Sequence, residues 1–310
     1  MTEIADDRNT VGQGMALMAL AVTVLPVIDA IAKLLSPGIS PVQISVARFV
    51  IQSALAALFC SIGPWRGPMV NRSFAGHALR GILASTATTF FFAAVAVMPL
   101  ANTLAIFFVE PMILTAMGAL ILKERVGPRR WIAVAVGLVG AMVVIRPNWS
   151  DFGAASLLPL GAAVTFAGYL LVTRRMAGTA SAFAMQFMSG LSAMALMSAV
   201  LIVTSLMGIE GYVAVTMNDR QMVLLLAMGL VSFVSHLMVV AAFSKAPASV
   251  LAPLNYLEIV SATFLGLVLF GDFPDTITWL GIALIVASGL YIAHRERASR
   301  RRIAPRPLQM

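Results

Sequence analysis

Residues 99–131 read PLANTLAIFFVEPMILTAMGALILKERVGPRRW, and residues 247–279 read PASVLAPLNYLEIVSATFLGLVLFGDFPDTITW. Laid over each other without gaps, at a shift of 148 (247 − 99), they match Pro99 with Pro247, Glu110 with Glu258 and Thr115 with Thr263. Gly118 meets Gly266, Trp131 meets Trp279, and Glu124 faces Asp272. Each match is weak alone, but their shared register across two long apolar stretches makes an internal repeat. The charges differ between the copies. Residues 123–130 hold four basic side chains, whereas 271–278 hold none and carry Asp272 and Asp275. Basic loops stay on the cytoplasmic side of a membrane, so one repeat position is expected inside in the first half and outside in the second.

Composition leads to the same class. The chain has 310 residues, 60% of them hydrophobic and 11% charged, with a mean hydropathy of +0.94. Soluble domains carry about 25% charged residues, so this chain lacks the polar side chains to cover a water-facing surface. A soluble enzyme, a disordered regulator and a disulfide scaffold are excluded on that ground, and a polytopic helical membrane protein remains. Cys60 is the single cysteine, which rules out an intramolecular disulfide and a cysteine metal site. The net charge of +8 is read as topology and not as nucleic-acid binding, because the basic residues cluster in short loops and at the C-terminus.

About 20 apolar residues span a bilayer. Ten segments qualify: 12–35, 41–62, 78–98, 100–122, 128–146, 153–174, 181–207, 221–244, 248–270 and 276–294. With the N-terminus inside, seventeen of the 21 Lys and Arg fall on the inner side, Arg80 among them, and only Lys33, Arg146 and Arg220 fall outside. The expectation is an all-α membrane protein with both termini cytoplasmic. It would have two five-helix repeats, 12–146 and 153–294, followed by a basic tail, 295–310, that touches anionic lipid. An odd number of spans per half inverts one half against the other. Inverted repeats mark secondary transporters, with the substrate held at the repeat interface near the midplane.

At this point the chain resembles the drug/metabolite transporter superfamily, EamA type, over roughly residues 14–294. The resemblance rests on Ala47-Arg48-Phe49, on Met98-Pro99-Leu100-Ala101, and on Leu122-Lys123-Glu124-Arg125-Val126. It extends through Gly137 and Gly140 in the first half, and through Ala252-Pro253, 267–272 and 281–289 in the second. Arg80-Gly81 and the Pro99-Leu100-Ala101-Asn102-Thr103 run look like a bacterial subgroup that includes riboflavin and S-adenosylmethionine transporters. The resemblance implies ten helices, a central cavity, alternating access and residence in the bacterial inner membrane. It fixes no single substrate. Riboflavin-type vitamin uptake is the leading reading, with an amino acid, an S-adenosylmethionine-like metabolite or an exported drug as alternatives. Where such proteins often carry a small residue before the fourth-span proline, this chain has Glu110-Pro111.

Ionisable groups at membrane depth are functional candidates because they are costly to bury there. Glu110 and Glu258 are repeat mates near the centres of their spans and form a candidate substrate- or proton-binding pair. Pro111 frees a carbonyl in the preceding turn. Asn255 and Tyr256, between Pro253 and Glu258, offer a hydrogen bond and a ring face to a planar ligand. His236, whose repeat mate is Thr88, can relay protons. Arg48 suits an anionic substrate group or pairs with Asp29. Asp29 and Lys33, spaced i,i+4, can pair on one helix face.

Tyr169, Gln186 and one ring of Phe90-Phe91-Phe92 are further cavity candidates. Glu124 and Asp272 are expected in ion pairs or gate contacts at helix ends. Alternative readings leave each of these residues in helix packing. The nineteen methionines are assigned no function. No cofactor and no nucleic-acid partner are expected; the partners are a small-molecule substrate, the lipid bilayer and protons. An intramembrane enzyme is the competing class, but there is no His-Glu-x-x-His motif, and the absence of a Walker A loop argues against ATP-driven pumping.

Overall fold

The computed structural model describes residues 2–61, 74–123, 126–176, 182–246 and 248–303. Helices dominate it, because in hydrocarbon a backbone must satisfy its own polar groups. The first half holds α1 (Thr2–Leu35), α2 (Pro41–Ser61), α3 (Phe74–Val97), α4 (Leu100–Phe107), α5 (Glu110–Ile121) and α6 (Pro128–Phe152). The second holds α7 (Leu158–Arg175), α8 (Ala182–Leu206), α9 (Asp219–Lys245), α10 (Ala248–Leu251), α11 (Leu257–Leu265) and α12 (Thr276–Ile303). Among the described residues nine helical stretches are long and apolar enough to cross a membrane, and Thr276–Ile292 is a shorter apolar stretch. Large apolar side chains such as Leu120, Met142, Leu206 and Phe264 are well exposed, as a lipid-facing surface requires.

Several boundaries move from their sequence-based positions. Asn218 and Gln221 cap each other's backbone N–H at 2.9 and 3.0 Å, so α9 starts at Asp219. The fifth apolar span keeps its expected bounds, Pro128–Arg146, while its helix runs on to Phe152 and stops at Gly153, whose φ is +56°. Pro26 lies within α1 without ending it. The helices of the fourth and ninth spans are both broken. Pro111 has no N–H for the carbonyl of Phe107, and the fourth span parts into α4 and α5 just before Glu110. In the ninth, Pro253 opens a 3₁₀ turn, Ala252–Tyr256, and α11 resumes just before Glu258.

The repeat is visible in the packing. α1 lies along α9, α3 along α7, α2 along α8 and α6 along α12. Exchanging the halves turns the first pair into the second and leaves the other two unchanged, as a two-fold relation demands. The α6–α12 crossing shows this atom by atom. A Cβ on Gly137 would lie 2.7 Å from the Ser288 hydroxyl, and one on Gly140 would lie 2.9 Å from Ile285 Cγ1. These two contacts exchange under the 148-residue shift. Residue numbers fall along α12 as they rise along α6, since Ser288 donates to the Ala133 carbonyl while Gly281 lies against Gly140 and Val144. The two equivalent helices therefore run antiparallel. The ends of α5 and α11 also correspond: Lys123 (φ +55°) and Gly271 (φ +72°), again 148 apart, both take the left-handed conformation.

Candidate functional site

The interruptions in the fourth and ninth spans place two carboxylates in unusual positions. Glu110 is the first residue of α5, and Glu258 lies in the first turn of α11. Each sits at the start of a half-helix, where the helix dipole favours negative charge, although the N–H groups of Met112 and Leu257 are already taken by the carbonyls of Val109 and Leu254. Both line a single cavity of about 420 Å³, a volume suited to a small molecule.

Five of the other expected residues share that wall: Asp29 on α1, Arg48 on α2, Thr88 on α3, His236 on α9 and Asn255 in the 3₁₀ turn. Tyr169 and Gln186 join them, as do Phe91 and Phe92, whereas Phe90 points away toward Gly161. Tyr256 does not reach the wall. Its ring packs 5.3 Å from that of Phe108, its own repeat mate, and its hydroxyl presses on Gly289 of α12. It acts on the site from behind, in electrostatic contact with Glu110.

Arg48 is held by neutral oxygens. Nε donates to Ser232 Oγ at 3.3 Å and Nη1 to Thr88 Oγ1 at 3.1 Å, with the rings of Phe49 and Phe92 each 5.7 Å away. Asp29 and Arg48 feel each other electrostatically without forming an ion-pair contact. The His236 Nδ1 lies 2.7 Å from the Ser232 carbonyl. A carbonyl only accepts, so Nδ1 carries the proton and Nε2 is left as an acceptor. Ser232 lies one turn back on α9, so this histidine is satisfied within its own helix and not by a neighbouring one. Gln52 and Asn255, both in the wall, have side-chain carbonyl oxygens that are buried without a hydrogen-bond partner. A buried acceptor facing a cavity is a place for a ligand donor.

The expected Asp29–Lys33 pair is not formed. Lys33 turns instead to Asp272, at 2.6 Å, and to the Met98 carbonyl, at 3.0 Å, while Asp29 faces the cavity. An exposed i,i+4 pair on a helix is worth only about 0.2–0.5 kcal/mol, less than a charge-assisted bond that also satisfies a helix-end carbonyl. Asp272 thus makes the helix-end ion pair expected of it; Glu124 lies outside the described residues.

Two features escaped the sequence reading. Arg80, counted with the cytoplasmic segments, is only 5% exposed. Its guanidinium donates to Thr173 Oγ1 (2.7 Å), the Met185 carbonyl (3.0 Å), Ser189 Oγ (3.0 Å) and Tyr169 Oη (2.7 Å). It therefore ties α3 to α7 and α8 and fixes Tyr169 in the wall. Its place six residues into α3, next to a glycine, was the available signal: Gly81 lets the α8 backbone at Ser189 come close. The second feature is a run of rings, Phe91–Phe107–Phe166–Tyr169, with centroids 5.3–5.5 Å apart. These residues come from α3, α4 and α7, and only Phe166 and Tyr169, spaced i,i+3 on α7, are linked by sequence spacing.

Comparison with known proteins agrees with this architecture. A riboflavin transporter of Vibrio cholerae is 26% identical over 295 residues, covering 94% of this chain and 96% of that one. An S-adenosylmethionine uptake transporter of Rickettsia prowazekii is 24% identical, covering 95% and 97%. A riboflavin transporter of Rhizobium johnstonii is 29% identical, covering 78% and 74%. One solved crystal structure superposes with a TM-score of 0.60 over 94% of this chain and 99% of that one; at 19% identity it shows the fold alone. These relatives carry the names of transporters, not of enzymes. The profile of the EamA-like transporter family matches residues 12–146 and 153–293, each half of the repeated fold in turn, and the chain belongs to that family.

Proposed function

We propose that this protein is a secondary transporter of the bacterial inner membrane. Its two five-helix halves, with both termini cytoplasmic, rock about the cavity and expose it to each side in turn. The observation that carries the reading is the position of Glu110 and Glu258 at the starts of two half-helices, in one cavity between antiparallel halves. The substrate is a planar metabolite with polar edges. Aromatic side chains from α2, α3, α4, α7 and α9 supply flat apolar faces, and the unpartnered oxygens of Gln52 and Asn255 accept from ring N–H or hydroxyl groups. A riboflavin-type vitamin fits that description and agrees with the names of two relatives.

One observation favours a second substrate. The wall holds three carboxylates, Asp29, Glu110 and Glu258, against the single guanidinium of Arg48. That excess suits a cationic metabolite of the S-adenosylmethionine kind, the name borne by another relative. It equally suits a proton held by Glu110 or Glu258 and passed on through His236.

The test is uptake of labelled riboflavin and labelled S-adenosylmethionine into cells lacking their own importers, with and without the protein and with Glu258→Gln. Saturable uptake of one of them, falling at least about tenfold in Glu258→Gln, is expected. Undiminished uptake with unchanged pH dependence in that variant would refute the role of Glu258. No uptake of either, with the protein present in the membrane, would refute both substrate assignments.

A further inference from the structure

The cavity wall is lopsided. On α1 it runs from Met18 to Asp29 and stops one turn short of Lys33. On α9 it takes the last part of the helix, from His236 to Phe243, and on α2 it begins only at Arg48. α1 and α9 run antiparallel, with Gly14 against Lys245 and Ala246 and Gly38 against Gln221. The cavity therefore extends toward the end where Gln13 and Lys245 meet. At the other end lie Leu35, Ile39, Met98 and Leu100, none more than 2% exposed. The Lys33–Asp272 ion pair lies among these residues, with Lys33 one turn out from Asp29 and bonded to the Met98 carbonyl.

We propose that Lys33 and Asp272 form the latch that holds the cavity shut at this end, and that their separation is a step of the transport cycle. The proposal rests on the transporter reading and adds the residues that govern access on one side. Four observations support it. The pair joins opposite halves of the repeat, α1 to the turn after α11. Lys33 also binds the Met98 carbonyl just past the end of α3 and stands 4.7 Å over the Phe270 ring, so one side chain clamps three elements. Both side chains are partly exposed, at 16% and 28%, so the pair is not sealed inside the protein. The turn that presents Asp272 is a π-helical one, Gly266–Phe270, closed by left-handed Gly271, with the Asp272 N–H returning to the Gly266 carbonyl. Such turns recur at functional sites. Asp275, three residues on, does only a local job, accepting from the N–H of Thr278 near the start of α12.

Sided thiol labelling tests this without knowledge of the substrate. In a Cys60→Ser background, Ala87→Cys places one thiol in the cavity wall. A membrane-impermeant maleimide is applied to right-side-out and to inverted vesicles, and the ratio of the two labelling rates is taken, so that loss of folded protein cancels. Lys33→Ala and Asp272→Ala are each expected to raise the ratio in favour of the Lys33 end by about three- to fivefold, the population shift that a partly exposed ion pair can hold. The double variant should add little, and Lys33→Asp with Asp272→Lys should return the ratio toward the parent. An unchanged ratio in both single variants would overturn the proposal. Full additivity in the double variant, or no recovery in the exchanged pair, would do so as well. A failed riboflavin or S-adenosylmethionine uptake assay leaves this result readable.

Discussion

Gly281→Ala places a methyl group at the α6–α12 crossing, and the structure fixes what it meets. The added Cβ would strike Val144 Cγ2, lie 2.8 Å from the Gly140 carbonyl oxygen and lie 3.1 Å from the Val144 amide nitrogen. Comfortable packing needs about 3.5 Å, and two of these neighbours are backbone atoms that no rotamer change can move. The helices must separate, which loosens contacts along the whole crossing. Overpacking of this kind costs about 1–3 kcal/mol, and the backbone contacts put it at the upper end. Alanine regains about 1 kcal/mol over glycine in a helix interior. The net expectation is a loss of about 1–2 kcal/mol. Gly12→Ala is the control, because nothing lies within 4 Å of its added Cβ. SDS-driven unfolding in mixed micelles, followed by tryptophan fluorescence, reads both variants, with Trp131 on α6 and Trp279 on α12 as native reporters. No described residue of either helix lines the cavity, so the folded fraction of Gly281→Ala should transport with the parental KM. A Gly281→Ala protein as stable as the parent would refute the antiparallel close approach of the two repeat-equivalent helices.

Two further outcomes can be measured in the same unfolding assay. Lys123 holds a φ of +55° at the position where its repeat mate is Gly271; Lys123→Gly should stabilise the protein by about 1 kcal/mol by removing left-handed strain, and no gain would show that Lys123 makes a compensating contact. Arg80→Lys keeps the buried charge and its desolvation cost, but a compact ammonium cannot span four acceptors and a ring. A loss of about 1–2 kcal/mol is expected at the strength of hydrogen bonds between membrane helices, and parental stability would count against the assigned network.

The class of the fold and its division into two halves were legible in the sequence because both are set by solvent and by local pattern. A chain that is 60% hydrophobic and 11% charged has one environment open to it, and a shared register of prolines, glycines and carboxylates survives in the order of the letters. Glu110 and Glu258 stood out for the same reason: a carboxylate in an apolar run contrasts with its neighbours whatever the helices do later. The tertiary structure decided which side chains meet. Lys33 had a candidate partner four residues away and found Asp272 across 239 positions, because helix facing turns Asp29 into the cavity. Tyr256 looked like a ligand contact but is turned toward Phe108 and Gly289, and Arg80 looked like a loop charge but is folded against α7 and α8. Hydropathy along a chain reports depth in the bilayer, whereas facing depends on how helices from distant parts of the chain rotate and cross, and that is fixed only when all of them pack together.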